Sequence, residues 1–209
     1  MKYLSTRDNS LKKSFNEILY QGLSKDGGLY LPVEWPIINI DNLKNKSYED
    51  FALEIIYPFV KENFSKADLQ KILNESYANF RHEKKAPIKE LQTNKYILEL
   101  IYGPTYAFKD YALQFLGKLF SNSLLKNPKK VTVLGATSGD TGSAAIHAFK
   151  ANQNINVFIL HPHGKVSPMQ QKQMTTVDEE NIFNIAIEGN FDDCQKIVKT
   201  LFIDDEIQN

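Results

Sequence analysis

Apolar positions along the chain follow two regimes. Up to about residue 90 they recur mostly at helical spacing. Phe15, Ile18, Leu19 and Leu23 would share one side of a helix over Lys12 to Leu23. Lys25-Asp26-Gly27-Gly28 then breaks the chain as a turn. Tyr48 to Phe64 and Ser65 to Phe80 read as two amphipathic helices, with Pro58 kinking or ending part of the first. Ser65 can cap free N–H groups at the start of the second, and Asp68 suits its positive end.

From about residue 91 strand and helix patterns alternate. Tyr96 to Leu100, Val131 to Leu134, Val157 to Leu160 and Ile182 to Ile187 are short apolar strands. Between and after them, Phe108 to Leu125, Asp140 to Ala151, Ser167 to Met174 and Phe191 to Phe202 have helical character. Such alternation predicts a parallel sheet with flanking helices, whose ligands bind where loops leave the C-terminal ends of strands. The fold class expected is therefore α/β, preceded by a mainly helical N-terminal domain. The charged, proline-bearing link Arg81 to Pro87 marks the boundary, giving domains of residues 1–90 and 91–209. Ile203 to Asn209 shows no further strand, so the sheet would stop after about four.

Composition narrows the class of partner. Lys plus Arg, 25, balances Asp plus Glu, 25, so neither nucleic acid nor an acidic membrane is called for. No run approaches the roughly 18–20 apolar residues of a membrane span. Met1 to Ser10 lacks the apolar core of a signal peptide. Cys194 is the single cysteine, which suits a reducing compartment. A cytoplasmic protein is expected.

Two turns could carry chemistry. Gly103-Pro104-Thr105-Tyr106-Ala107-Phe108-Lys109-Asp110 follows a strand and opens a helix. A helix start favours anions, so an ammonium there is pushed toward the neutral amine that Schiff-base chemistry needs. Tyr106 and Phe108 would help to dehydrate it. The plainer reading is a solvated lysine beside Asp110 as a cap. The second turn, Gly135-Ala136-Thr137-Ser138-Gly139-Asp140-Thr141-Gly142, joins a strand to a helix. Its free N–H groups and the hydroxyls of Thr137, Ser138 and Thr141 suit a carboxylate or phosphate. Neither the Walker spacing nor the dinucleotide fingerprint is present. A tight turn before a well-capped helix is the alternative. His161 and His163, flanking Pro162, lack an evident third metal ligand, so no metal site is expected. His147 reads as an ordinary helix position and Cys194 as a small buried apolar group.

Taken in order, these segments resemble the threonine synthase family. Tyr3-Leu4-Ser5-Thr6-Arg7 and Gly22-Leu23-Ser24-Lys25-Asp26-Gly27-Gly28-Leu29-Tyr30-Leu31-Pro32 look like its opening signature. Gly103 to Asp110 looks like its cofactor-lysine motif, and Ala136 to Ala145 like its substrate loop. His161 to Gln170 and Gly189 to Gln195 continue the match. The resemblance implies an incomplete fold of the tryptophan synthase β type. It implies pyridoxal 5'-phosphate on Lys109, with Asp140 beside the cofactor's phenolic oxygen. It also implies that Thr137, Ser138, Gly139 and Thr141 hold the substrate carboxylate.

The reaction implied is conversion of O-phospho-L-homoserine and water to L-threonine and phosphate in threonine biosynthesis. The Ser-Gly-Asn-Phe-Gly type of loop that takes the cofactor phosphate in this family is not in the sequence. The chain is thus expected to be a C-terminally truncated portion that binds the cofactor weakly. The alternatives are a non-catalytic module pairing with a separate C-terminal half, and a related phospho-lyase.

Overall fold

The computed structural model describes residues 1–209 except 11, 151, 203, 205, 206, 208 and 209. The expectation for the tail after Phe202 falls mostly outside the described residues. Two compact units form, Met1–Ala78 and Asn79–Asn209.

In the first unit β1 (Tyr3–Ser5) pairs antiparallel with β2 (Tyr30–Pro32). The helix expected over Lys12 to Leu23 shrinks to α1 (Phe15–Ile18). The cause is tertiary: Lys13 exchanges backbone hydrogen bonds with Tyr3, both 2.8 Å, which holds it extended. α2 (Tyr48–Val60) runs through Pro58, and α3 (Lys66–Tyr77) starts as read, with the Ser65 hydroxyl accepting from the Asp68 N–H at 3.0 Å. Leu53, Val60, Leu69, Ile72 and Leu73 are buried between these helices and the rest of the unit.

The opening signature folds into a polar knot. The Ser5 hydroxyl donates to the Asp26 carboxylate at 2.8 Å, and the Gly28 N–H donates to the same carboxylate at 2.8 Å. The Arg7 guanidinium reaches the Asp26 carbonyl at 2.9 Å. A Cβ at Gly28 would collide with the buried Ser5 hydroxyl.

The second unit begins with a hairpin, β3 (Ile88–Gln92) and β4 (Lys95–Leu98), turned by Asn94 at φ 61°. The Tyr96 run is therefore not a strand of the parallel sheet, and every residue of both hairpin strands is exposed. The sheet itself has three parallel strands, in the order β5 (Val131–Ala136), β6 (Ile155–Pro162), β7 (Ile182–Ile187). Helices α4 (Lys109–Lys126), α5 (Asp140–Phe149), α6 (Pro168–Thr175) and α7 (Phe191–Leu201) alternate with them.

Alternation along the strands sets two faces. Leu134, Ala136 and Leu160 meet Cys194 and Val198 of α7. Val133, Gly135 and Ile159 turn to the side of α4 and α5. Those two helices approach so closely that a Cβ at Gly117 would lie 2.5 Å from the Ala148 carbonyl oxygen. Asn181 ties the far end together, its side-chain amide donating to the carbonyls of Phe149 (3.0 Å) and Ile155 (2.7 Å).

Candidate functional site

Both turns singled out in the sequence lead into helices of the second unit: the first opens α4, and the second joins β5 to α5. Lys109 is the first residue of α4 and half-buried. Its Nζ stands 4.6 Å from the centroid of the Phe108 ring, a position that places aromatic surface against the amine.

The turn before it is held by two residues. Asp110, fully buried, accepts from the Thr105 N–H at 2.7 Å and the Thr105 hydroxyl at 2.9 Å. The Arg81 guanidinium donates to the Gly103 carbonyl and, at 3.1 Å, to the Pro104 carbonyl. It also lies 4.0 Å from the centroid of the Tyr106 ring. Tyr106 has φ 62°, a left-handed backbone that costs a non-glycine residue of order 1 kcal/mol and persists only where its surroundings over-determine it. The clamps from Arg81 and Asp110 are those surroundings. Gly103 is required because a Cβ there would run into the Asp110 side chain.

In the second turn Thr137 is buried and Ser138, Asp140 and Thr141 are exposed. The Thr137 hydroxyl accepts from the N–H groups of Gly139 and Gly142, both at 2.9 Å. It is a staple of the turn, a use that spacing alone does not show. Gly139 has φ 144°, open to glycine alone, and directs the following N–H groups along the axis of α5. The exposed hydroxyls of Ser138 and Thr141 and the first amides of α5 give an anion somewhere to sit.

A side-chain chain continues behind Lys109. The Gln114 amide is 3.4 Å from Asp110 Oδ1, and its carbonyl oxygen is 3.4 Å from His147 Nδ1. Burial, followed by the charge of Lys150, holds the His147 imidazole below its ordinary value, against an opposing pull from Asp110. Beneath the second turn lies a cavity of about 200 Å³ lined by Leu113, Leu116, Phe120, Val133 and Ile159 among others. Its apolar walls do not suit a carboxylate or phosphate.

His161, one residue past the strand expected over Val157 to Leu160, belongs to β6 and is buried, and its Nδ1 has no hydrogen-bond partner among the described residues. His163 is exposed. Among the described residues no group of three or more His, Cys, Asp or Glu is arranged to hold a metal ion, and no helix is long and apolar enough to cross a membrane. The residues present fit the aldehyde end of pyridoxal phosphate: an amine beside an aromatic ring, at the head of a helix. Gln170 and Gln173 of α6 reach the two turns; in the sequence Gln170 stands only as the end of a matching segment, and Gln173 carries no signal. Their reach to the turns shows only through space.

Residues 2–77 match the family model described as threonine synthase N terminus. The threonine synthase of Pseudomonas aeruginosa is 46% identical over 207 residues, covering 98% of this chain and 44% of that protein. A PLP-bound threonine synthase from Brucella melitensis superposes with a TM-score of 0.90 at 45% identity, over 99% of this chain and 45% of that one. Yeast threonine synthase gives 0.88 at 42% identity, over 99% and 44%. The chain thus spans less than half the length of the relatives it matches. The parallel α/β sheet with flanking helices is the fold this chain shares with those solved threonine synthases. The chain corresponds to the N-terminal portion of threonine synthases over nearly its whole length.

Proposed function

We propose that this chain supplies the lysine-bearing portion of an enzyme that converts O-phospho-L-homoserine and water to L-threonine and phosphate in the cytoplasm. Roles divide between residues 1–90, the N-terminal domain, and 91–209, the first part of the catalytic domain. The observation that carries the proposal is the presentation of Lys109: first residue of α4, with its amine against Phe108, at the end of a turn clamped by Arg81 and Asp110. The similarity to threonine synthases over nearly the whole chain supports it.

Lys109 would hold pyridoxal 5'-phosphate covalently and, when freed, move protons at the α and β carbons of the substrate. The cofactor, when bound, supplies an electron sink for carbanion chemistry. Asp140 would face the cofactor's phenolic oxygen. Ser138, Gly139 and Thr141 would receive the substrate α-carboxylate. Thr137 accepts from two amides already, so its share is to shape the turn and to offer its remaining hydroxyl proton.

The test is reductive trapping. The chain is incubated with pyridoxal phosphate, reduced with borohydride and mapped by peptide mass. Label at Lys109, lost in Lys109→Ala, is the expected result. Label confined to other lysines overturns the assignment.

A second reading has its own observation. Among the described residues β5 is paired on one side only, by β6, and the apolar cavity lies beside it. An unpaired edge of this kind is a template for another strand. The chain would then act as a module that pairs with a separate C-terminal half. Co-purification with such a half from a relative, and the appearance of activity only in the mixture, would favour it.

A further inference from the structure

Helix α6 belongs to neither turn, yet it touches both. Gln173 donates its side-chain amide to the Thr105 carbonyl at 3.0 Å. With the Thr105 N–H and hydroxyl given to Asp110, every polar group of Thr105 is then fixed. One helical turn earlier, Gln170 donates its amide to Asp140 Oδ1, while its carbonyl oxygen accepts from the Ser167 hydroxyl at 2.7 Å. The opposite amide orientation would set two oxygens against each other at Asp140, so this one is chemically determined. Gln170 also packs under Gly139, where a Cβ would have no room. Met174, fully buried, sits under Gly142, where a Cβ would come within 2.8 Å of its sulfur. Positions 170, 173 and 174 fall on one face of the helix, by the three- and four-residue spacing of an α-helix.

We propose that Gln170 and Gln173 are positioning residues, and that α6 is a brace fixing the turn that carries Lys109 against the turn Thr137–Thr141. A side chain that contacts only one turn then controls the order of the other. The consequence for Lys109 rests on the reading of that residue as the cofactor lysine; the bracing itself does not.

The test separates the two. Amide hydrogen exchange is measured on the full chain and on Gln170→Leu, which removes the bond to Asp140 but leaves Gln173 and Thr105 intact. Exchange at residues 103–108, which Gln170 does not touch, is expected to speed up by about fivefold, the worth of roughly one net hydrogen bond. Gln173→Leu should do the same at residues 138–142, and the double variant should show less than the product of the two effects. Gln173→Lys, which restores a donor to the Thr105 carbonyl, should return exchange toward the original. Changes confined to the turn each side chain touches, or strictly multiplicative effects, overturn the brace. If Gln170→Leu does not fold, Gln170→Glu keeps the shape while setting a second carboxylate against Asp140, and the same cross-effect is read.

Borohydride labelling of the same proteins then reads the chemistry. Label at Lys109 should form about fivefold more slowly in either leucine variant, with other lysines unaffected. Cross-effects in exchange with no label at Lys109 in the unsubstituted chain would leave the brace standing and remove the cofactor reading.

Discussion

Asp110 accepts both the backbone N–H and the hydroxyl of Thr105, at 2.7 and 2.9 Å, from a fully buried position five residues further on. A buried carboxyl group is tolerated only when donors satisfy its oxygens. Asp110→Ala should therefore lower stability by roughly 2–3 kcal/mol, as removal of the acceptor strands its buried donors. Thr105→Val, which loses the hydroxyl bond alone, should cost about 1 kcal/mol. Urea denaturation followed by circular dichroism measures both, and equal losses would contradict the arrangement.

Arg81 holds the same turn through a planar fork. Its guanidinium meets the carbonyls of Gly103 and Pro104 and the face of Tyr106 together. A lysine offers one point charge and cannot repeat this geometry. Arg81→Lys is expected to destabilise the second unit by about 1–2 kcal/mol, most of the loss of Arg81→Ala. A lysine variant indistinguishable from the original in urea would show that the fork is idle.

The His147 imidazole is depressed by burial first and by Lys150 second, with Asp110 pulling the other way. Its folded-state value thus lies below the ordinary 6.5 of the unfolded chain. The unfolded state binds the proton more readily, so the contribution is complete above the unfolded value and is lost as pH falls through it toward the folded value. Urea midpoints should drop between pH 7.5 and pH 5.5, and the drop should shrink in His147→Gln. A midpoint difference unchanged by the substitution would assign the acid sensitivity elsewhere.

In the first unit the Asp26 carboxylate is held below its usual range, chiefly by the Gly28 N–H and then by the Ser5 hydroxyl. Gly28→Ala forces a methyl group against that hydroxyl, which is itself buried and committed to Asp26. The expected loss is about 1–3 kcal/mol, as for overpacking elsewhere. It should appear as a lower melting temperature of the chain.

Cys194 is fully buried under Leu160, and burial pushes its thiol up. Ellman's reagent should react with it only as fast as the second unit opens. A rapid, stoichiometric reaction in native buffer would mean that α7 is not docked on the sheet.

How far the sequence revealed this structure depends on where each signal comes from. α7 was legible because its apolar positions follow the helical period and Asn190 with Asp193 forms a capping box at its start. β5, β6 and β7 were legible as apolar runs. The hairpin was not, because β3 is exposed throughout and its Ile-Lys-Glu-Leu-Gln pattern carries little strand signal, while the apolar Tyr96–Leu98 run imitates a buried strand. α1 was overextended because nothing local announces that Lys13 will pair with Tyr3. At the candidate site, Lys109 and the hydroxyl-rich turn stand out as motifs. Arg81 as a clamp and the two glutamines of α6 do not, since the turn residues they hold lie between 22 and 68 residues away in sequence, and Thr137 as a staple does not because its hydroxyl reads equally well as a ligand donor. Spacing rules reach only a few residues along the chain.

Gly117 and Ala148 meet eight residues after Lys109 and eight after Asp140, the heads of their two helices. At 1.5 Å per residue each arm is about 12 Å long. The seam is thus a fulcrum with matched levers. A single methyl wedged into it would swing the Lys109 and Asp140 ends of the two helices apart, so the spacing between those ends is governed by the one residue that has no side chain.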